Sequence, residues 1–504
     1  MIIDDQNYDV IIVGTGAGGA TLAQKLAPTG KRILVLERGD RMALEEQNRA
    51  DVDVFRKERY HAPEQWYDQA GEPFSPQMNY AVGGNTKIYS ATLMRMRDRD
   101  FTAVPHQEGI APEWPFKYAD LEPYYTAAEQ LYQVHGALND DPTEPPHSRG
   151  YPFPAIDHEP LMLPIVEELS NQGLHPTVLP LSLTRQEDDP TGDSEVFSID
   201  PAVQHPNVTL KTSAPVVALH TNSSGTEIKG VQAEIAGQPI MFQGDIVVLA
   251  CGAVNSAALL LNSANDQHPH GLANRSDLVG RNLMKHRLTV IVERALADNS
   301  GEFPRSISVN DFYWGNSDYD YPMGHIENSG GLLRDIIFAE SPPLLSVLAQ
   351  IMPGSSLKGL AVRSIGWWAQ TGMLPDFNNR VRWHKGKLRC EFTPNNFEAH
   401  DRLVYQWLEV LKEMETEVDS LQSNTIFPRG EMPISIVGYQ LGTCRMGTDP
   451  TKSVLDINCR THDIDNLYVV DSSFFPSCPA VGPALTVIAN ALRVGDHLYD
   501  RLKA

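Results

Sequence analysis

Residues 8–39, YDVIIVGTGAGGATLAQKLAPTGKRILVLERG, constrain the fold more than any other stretch of this chain. Residues 10–13 are a short apolar run of the kind a buried strand needs, residues 20–27 have helix-forming composition, and residues 33–36 are a second apolar run ending at Glu37. Between the first strand and the helix lie Gly14, Gly16 and Gly19, spaced GxGxxG. Gly14 permits the tight turn, Gly16 lets backbone approach a pyrophosphate, and Gly19 lets the helix pack close to the sheet. The free N–H groups at the helix start are then a phosphate site. Glu37, 23 residues after Gly14, is placed to accept from a ribose hydroxyl, which favours an adenosine without a 2′-phosphate. The stretch reads as a complete β-α-β dinucleotide unit, against the alternative of a glycine-rich turn with no ligand.

The other 470 or so residues must therefore be arranged around or beside such a unit. Residues 50–165 are rich in Pro, Tyr and Trp and read as long excursions, with a helix over 120–132 that Asp120 is expected to cap. Residues 207–220, 226–234 and 245–250 read as strands. The last of these enters CGAVNSAALLLNSA, a second strand, glycine and helix start. From about 284 to 430 the texture is strand-like, over 287–293, 307–314, 360–369 and 387–392, with residues 331–355 either a lid or a packed loop. A strand over 467–470 and a helix over 484–498 close the chain. The expected fold is α/β (α+β overall). A Rossmann-like unit is gathered from 1–160, 205–283 and 431–504, and a second unit from 161–204 and 284–430.

Composition narrows the partners. Lys and Arg number 41 against 64 Asp and Glu, a formal charge of −23. That field opposes nucleic acid and anionic membrane surfaces, and no basic patch offsets it. No apolar run approaches the roughly 18 residues of a membrane span. The N-terminus, MIIDDQNYDV, lacks the features of a secretory signal, so a cytoplasmic location is expected. Five cysteines, with no CxxC pair, argue against a disulfide framework or a metal site.

Four separated motifs together resemble the glucose-methanol-choline (GMC) family of FAD-dependent oxidoreductases. They are VGTGAGG with Glu37, VGGNTKIYSATLMR, ACGAVNSAALLL, and the C-terminal GTCRMG, NLYVVDSSFFPS and ALTVIANALRVGDHL. The resemblance implies an FAD domain plus a substrate domain with a mostly antiparallel sheet. It implies that Gly14, Gly16, Gly19 and Glu37 hold the pyrophosphate and ribose, that Gly84, Asn85 and Thr86 lie beside the isoalloxazine, and that Val217 meets the adenine. Cys251, Gly252 and Asn255 would form the second FAD segment, Asp471 and Ser472 would meet the diphosphate and ribityl region, and Pro483 and Thr486 the pyrimidine end. Members with a covalent flavin carry a histidine at the position held here by Ile88, so FAD is expected to bind non-covalently.

In the family's chemistry a histidine takes the alcohol proton while hydride leaves for the flavin, with a His or Asn as its partner. The two registers fall on Tyr439 and Gly482. A phenol, with a reference pKa near 10, is a poor base at neutral pH. His325 and His286 are the candidate replacement bases, each also readable as a structural histidine, while His400, His462 and His497 read as packing or surface. Trp367 and Trp368 send one ring to each face of a strand. Both, with Asn310 and Tyr313, are candidate walls of a substrate cavity, and Arg445 is a candidate cation for it. The reading is a CH–OH oxidoreductase acting on a small-molecule sugar, polyol or other alcohol. The alternatives are a lyase, decarboxylase or other non-standard flavin reaction, or FAD binding without turnover. The electron acceptor, oxygen or another molecule, leaves no signature in the sequence.

Overall fold

The computed structural model describes residues 2–43, 59–60, 62–138, 141–186, 189–299, 305–329, 363–423, 427, 429–435 and 437–503. The expected lid or loop over 331–355 lies outside them. Two large sheets organise the described residues. The first has seven strands, ordered Val208–Lys211, Ile33–Leu36, Ile2–Val13, Gln238–Leu249, Ile228–Ile235 and Val216–Thr221, with Leu467–Val469 also paired to Gln238–Leu249. Its centre is parallel: Val10–Val13 run in register with Ile246–Leu249 on one side and Ile33–Leu36 on the other. These strand ends are almost wholly buried. That agrees with their unbroken Val, Ile and Leu runs, since helices cover both faces of a parallel sheet.

The register matters because it brings two carboxyl-terminal strand ends side by side. Val13 is opposite Leu249, so the turn at Gly14 and the turn at Cys251 and Gly252 open on the same edge. Each feeds a helix, Ala17–Leu26 and Ala253–Asn262. A third helix, Ala484–Lys503, packs on the first and on Tyr118–Leu131. The latter starts two residues earlier than expected, and Asp120 does not cap it as the preceding residue. Instead its carboxylate reaches back to accept the N–H of Lys117 at 2.8 Å from the first turn.

The second sheet is antiparallel throughout, ordered Arg429–Glu431, Arg287–Arg294, Ser364–Thr371, His325–Asn328, Ile307–Val309 and Pro176–Val178. The strand expected over 307–314 stops at Val309, because residues 311–314 form a turn. Helix Phe397–Glu417 covers one face. On that side Trp367 packs against Trp407 with ring centroids 4.8 Å apart, and His400 joins the hydroxyls of Thr289 and Thr371 at 2.7 and 3.0 Å. The opposite face is left for a cavity. Among the described residues no helix is long and apolar enough to cross a membrane, and no cluster of His, Cys, Asp or Glu is arranged to hold a metal.

Glu293 sits in the covered face with one oxygen accepting Trp367 Nε1–H at 2.8 Å and the other without a partner among the described residues. Burial pushes its carboxyl up to about 8 from 4.5. Between those values the native state holds a proton that the unfolded chain releases, so stability falls as pH rises, by about 1.4 kcal/mol per pH unit. Glu293→Gln keeps the acceptor for Trp367 and removes the titration. Thermal unfolding at pH 5 and pH 8.5 is expected to show the variant gaining several degrees on the wild type at the higher pH only.

Candidate active site

The edge where the two strand ends meet opens into a cavity of about 800 Å³ that runs from the first sheet to the free face of the second. At the first end the glycines behave as the GxGxxG spacing requires. Gly14 has φ +101°, and a Cβ there would lie 2.4 Å from Ala250 O. A Cβ on Gly19 would lie 2.1 Å from Gly14 O, so this residue is spent on packing helix against turn and does not itself line the cavity. Gly16 lines it with open space around its α-carbon, and no side chain caps the helix that follows. The N-terminal N–H groups are thereby presented to the cavity.

Glu37 ends the neighbouring strand, also at the cavity. Its Oε2 accepts from Thr15 N at 2.9 Å and Thr15 Oγ1 at 2.5 Å, and its Oε1 from Gly39 N at 3.0 Å. These hydrogen bonds, with one from the Arg38 backbone, fix the orientation of the carboxylate at the cavity edge. Burial raises its pKa, against which the Thr15 and Gly39 hydrogen bonds pull down. Val217, with Ala214, Pro215 and Val216, makes an apolar wall beyond it. Asn255 lines the same end and donates to Tyr80 Oη at 3.3 Å.

Further along, Asp471 ties the Gly252 turn to the segment that follows the strand Leu467–Val469: it accepts from Gly252 N at 3.0 Å and from Ser473 N at 2.9 Å. Gly252 has φ +86° and Gly84 φ +57°, conformations that leave their backbones open to the cavity. Thr86 accepts Ser194 N–H at 3.0 Å, and Asn85 donates to Gln77 O at 3.2 Å and also to Gly438 O, fixing the segment that carries Tyr439. Ser472 donates to Gln440 O at 2.6 Å. Cys251 lines the cavity as a thiol that burial pushes up to about 12. Pro483 lines it, but Thr486 does not; its hydroxyl pairs with Tyr125 Oη at 2.7 Å inside the helix layer.

The second end is walled by the free sheet face. On Ser364–Thr371 alternation sends Trp368 and Gln370 to the cavity and Trp367 to the helix, so Trp367 is not a wall residue. On the adjacent strand His325 and Glu327 face the cavity two residues apart, with His325 opposite Gln370 and Glu327 opposite Trp368. Arg305 pairs with Glu327 and lies over the Trp368 ring, 4.7 Å from its centroid. Sequence reasoning missed Arg305, Glu327 and Gln370. The alternation that selects His325 also selects Glu327, but nothing local brings Arg305 to it.

His325 is the only histidine among the described cavity residues. Its Nδ1 lies 3.2 Å from Asn310 Oδ1, and its Nε2 lies 3.8 Å from Glu327 Oε2. Burial lowers its pKa to about 4; Glu327 pulls it up, and Arg97 and Arg305 push it down further. The imidazole is neutral at neutral pH. Asn310 stands behind it and does not line the cavity.

Three further expectations change. His286 is fully buried outside the cavity, with Nε2 donating to Pro479 O at 2.6 Å and a pKa lowered by burial to about 3. Tyr313 also lies outside it, donating to Asp100 Oδ2 at 2.8 Å and accepting Ala480 N–H at 3.2 Å. Arg445 is spent on Lys452 O at 2.9 Å, away from the cavity. Tyr439 lines the cavity, but its hydroxyl donates to Gln370 Oε1 at 3.0 Å and burial raises its pKa, so it remains a phenol. Gly482 lines the cavity with nothing within 4 Å of a Cβ.

Residues 8–288 and 409–491 match the two models of the GMC oxidoreductase family. The chain belongs to the GMC oxidoreductase family. This GMC oxidoreductase is 29% identical over 548 residues to 6'''-hydroxyparomomycin C oxidase of Streptomyces lividus, covering 99% of this chain and 93% of that protein. It is 27% identical to paromamine 6'-oxidase of Streptomyces fradiae, covering 97% and 91%. Its fold is similar to that of pyridoxine 4-oxidase from Mesorbium loti, with a TM-score of 0.70 at 19% identity over 98% of this chain and 99% of that one.

GMC oxidoreductases are FAD-dependent, and the cavity of this one fits the cofactor by its own geometry. An uncapped helix start faces an acceptor-bearing Glu37 across glycines whose Cβ atoms would obstruct the turn. Gly14→Ala is expected to strip the protein of flavin. The strained backbone alone costs about 1–3 kcal/mol, and the added carbon meets the Ala250 carbonyl. Flavin absorbance per protein after gel filtration is expected to fall about tenfold or more.

Proposed function

We propose that this GMC oxidoreductase oxidises a CH–OH group of a sugar, polyol or other alcohol, with FAD bound non-covalently and His325 in place of the usual proton-handling pair. The observation that carries the reading is the neutral His325 at the wall of the cavity, facing the same space as Gly482. FAD, when bound, supplies the acceptor for hydride from the carbinol carbon.

The chain's own residues do the rest. His325 Nε2 takes the hydroxyl proton, and Glu327, 3.8 Å away, stabilises the imidazolium that results. Gln370, Glu327 and Arg305 offer donors and acceptors for further hydroxyls, which suits a hydroxyl-rich substrate, and the named activities of the two Streptomyces relatives support that class. Trp368 closes the wall against water. Ile88, at the cavity where covalent members carry histidine, supports non-covalent binding. The assignment of residues 1–160, 205–283 and 431–504 to the FAD unit, and of 161–204 and 284–430 to the substrate unit, belongs to this reading. A cytoplasmic location belongs to it as well, and five free cysteines support it.

The test is anaerobic bleaching of the FAD-loaded protein by a panel of aminoglycosides, sugars, polyols and aliphatic alcohols. Bleaching by at least one of them is expected. Product formation without flavin reduction would replace the reading with lyase or decarboxylase chemistry.

A further inference from the structure

His325 is held from behind by groups whose donor and acceptor roles are each fixed. Arg97, which can only donate, gives Nη2–H to Asp141 Oδ2 at 2.7 Å, and Thr143 gives its N–H and hydroxyl to Asp141 Oδ1 at 2.8 and 2.7 Å. Asp141 is therefore an acceptor on both oxygens. Asn310 Nδ2 donates to that carboxylate at 2.7 Å and to Ser308 Oγ at 3.1 Å. With its amide nitrogen committed there, the oxygen of Asn310 is the atom that meets His325 Nδ1 at 3.2 Å.

A carbonyl oxygen can only accept. The proton of the neutral ring is then on Nδ1, and Nε2 keeps a lone pair. The other tautomer would set a nitrogen lone pair against a carbonyl oxygen between two residues that are each 1% exposed, where no water can relieve it. We propose that Asp141 and Asn310 form a polarity lock that fixes His325 in its Nδ1–H tautomer and presents Nε2 to the cavity as an acceptor. The lock rests on the reading that His325 takes the substrate proton, and it makes Asn310 and Asp141 positioning residues. The charged groups that face the ring are Glu327 on its own strand, Arg305 beside it, and Arg97 and Asp141 behind, with the neutral His286 nearby.

The test uses FAD-loaded protein labelled with ¹⁵N-histidine, in which long-range proton–nitrogen correlations report the tautomer; His325 is identified by its loss in His325→Gln. At pH 7 the wild type is expected to carry the ring proton on Nδ1 in about nine-tenths or more of the molecules, with Nε2–H the minor form. Asn310→Leu removes the acceptor, and Asp141→Asn frees the Asn310 amide to turn over. Each is expected to raise the Nε2–H population about tenfold, the ratio set by one buried hydrogen bond. A wild-type ring protonated on Nε2 overturns the lock, as does a tautomer ratio that neither variant moves. Should either variant fail to fold, the wild-type spectrum decides alone. The tautomer is read without substrate, so the two ideas fail separately: an intact lock with unimpaired flavin bleaching in His325→Gln removes the base and leaves the lock.

Discussion

His325→Gln is expected to slow flavin reduction by an alcohol substrate by about 10²–10⁴-fold, the usual worth of a positioned general base, with little change in flavin content. Glutamine is close in length and offers an amide N–H to Asn310 Oδ1, so the wall survives and the proton acceptor does not. Rapid mixing under anaerobic conditions isolates this step from reoxidation. The pH dependence carries a sign. The reactive form is the neutral ring, and its pKa is lowered to about 4, chiefly by burial. The wild-type rate is therefore expected to stay flat through neutrality and to fall as pH drops through about 4. Glu327→Gln removes the charge that pulls this value up and is expected to move the fall to lower pH.

Local spacing determines some residues of this site and leaves others open. The first unit is written locally: the glycines, the helix and Glu37 lie within thirty residues, so their spacing alone fixes the turn and the acceptor beside it. The two tryptophans of Ser364–Thr371 were legible as a pair on opposite faces, because alternation is a local property. Which face meets the cavity was not, because helix Phe397–Glu417, which covers the other, comes from a distant stretch. The same limit explains Asn310 and Tyr313. Both are polar residues near the site, but Asn310 stands one layer behind His325 and Tyr313 is tied to Asp100. Thr486 and Arg445 sit within matching motifs, yet their side chains are turned to Tyr125 and Lys452. A motif fixes backbone placement more firmly than it fixes what each side chain touches.

Tyr439→His combined with Gly482→Asn, placed in the His325→Gln background, is expected to restore flavin reduction by about tenfold or more, since a correctly placed base contributes 10²–10⁴ and an imperfect graft recovers part of it. The space is there. A Cβ at Gly482 meets nothing within 4 Å, and its backbone lies outside the left-handed region, so asparagine enters without strain. Tyr439 lines the cavity on a segment fixed by Asn85, and a smaller imidazole replaces its ring beside His286, whose ring centroid lies 5.3 Å away. Tyr439→Phe is the control. It deletes one hydrogen bond to Gln370, worth about 1 kcal/mol of stability, and should leave flavin reduction by the wild-type base within about threefold, as a half-buried phenol held protonated takes no proton at neutral pH. Recovery in the triple variant would mean that the substrate still lies within reach of the position where other members carry their base, and that the proton here leaves by a second route across the same cavity. Failure to recover, with His325→Gln inactive and flavin retained, would mean that the substrate is turned toward the sheet face, with its hydroxyl directed at Nε2 and away from position 439.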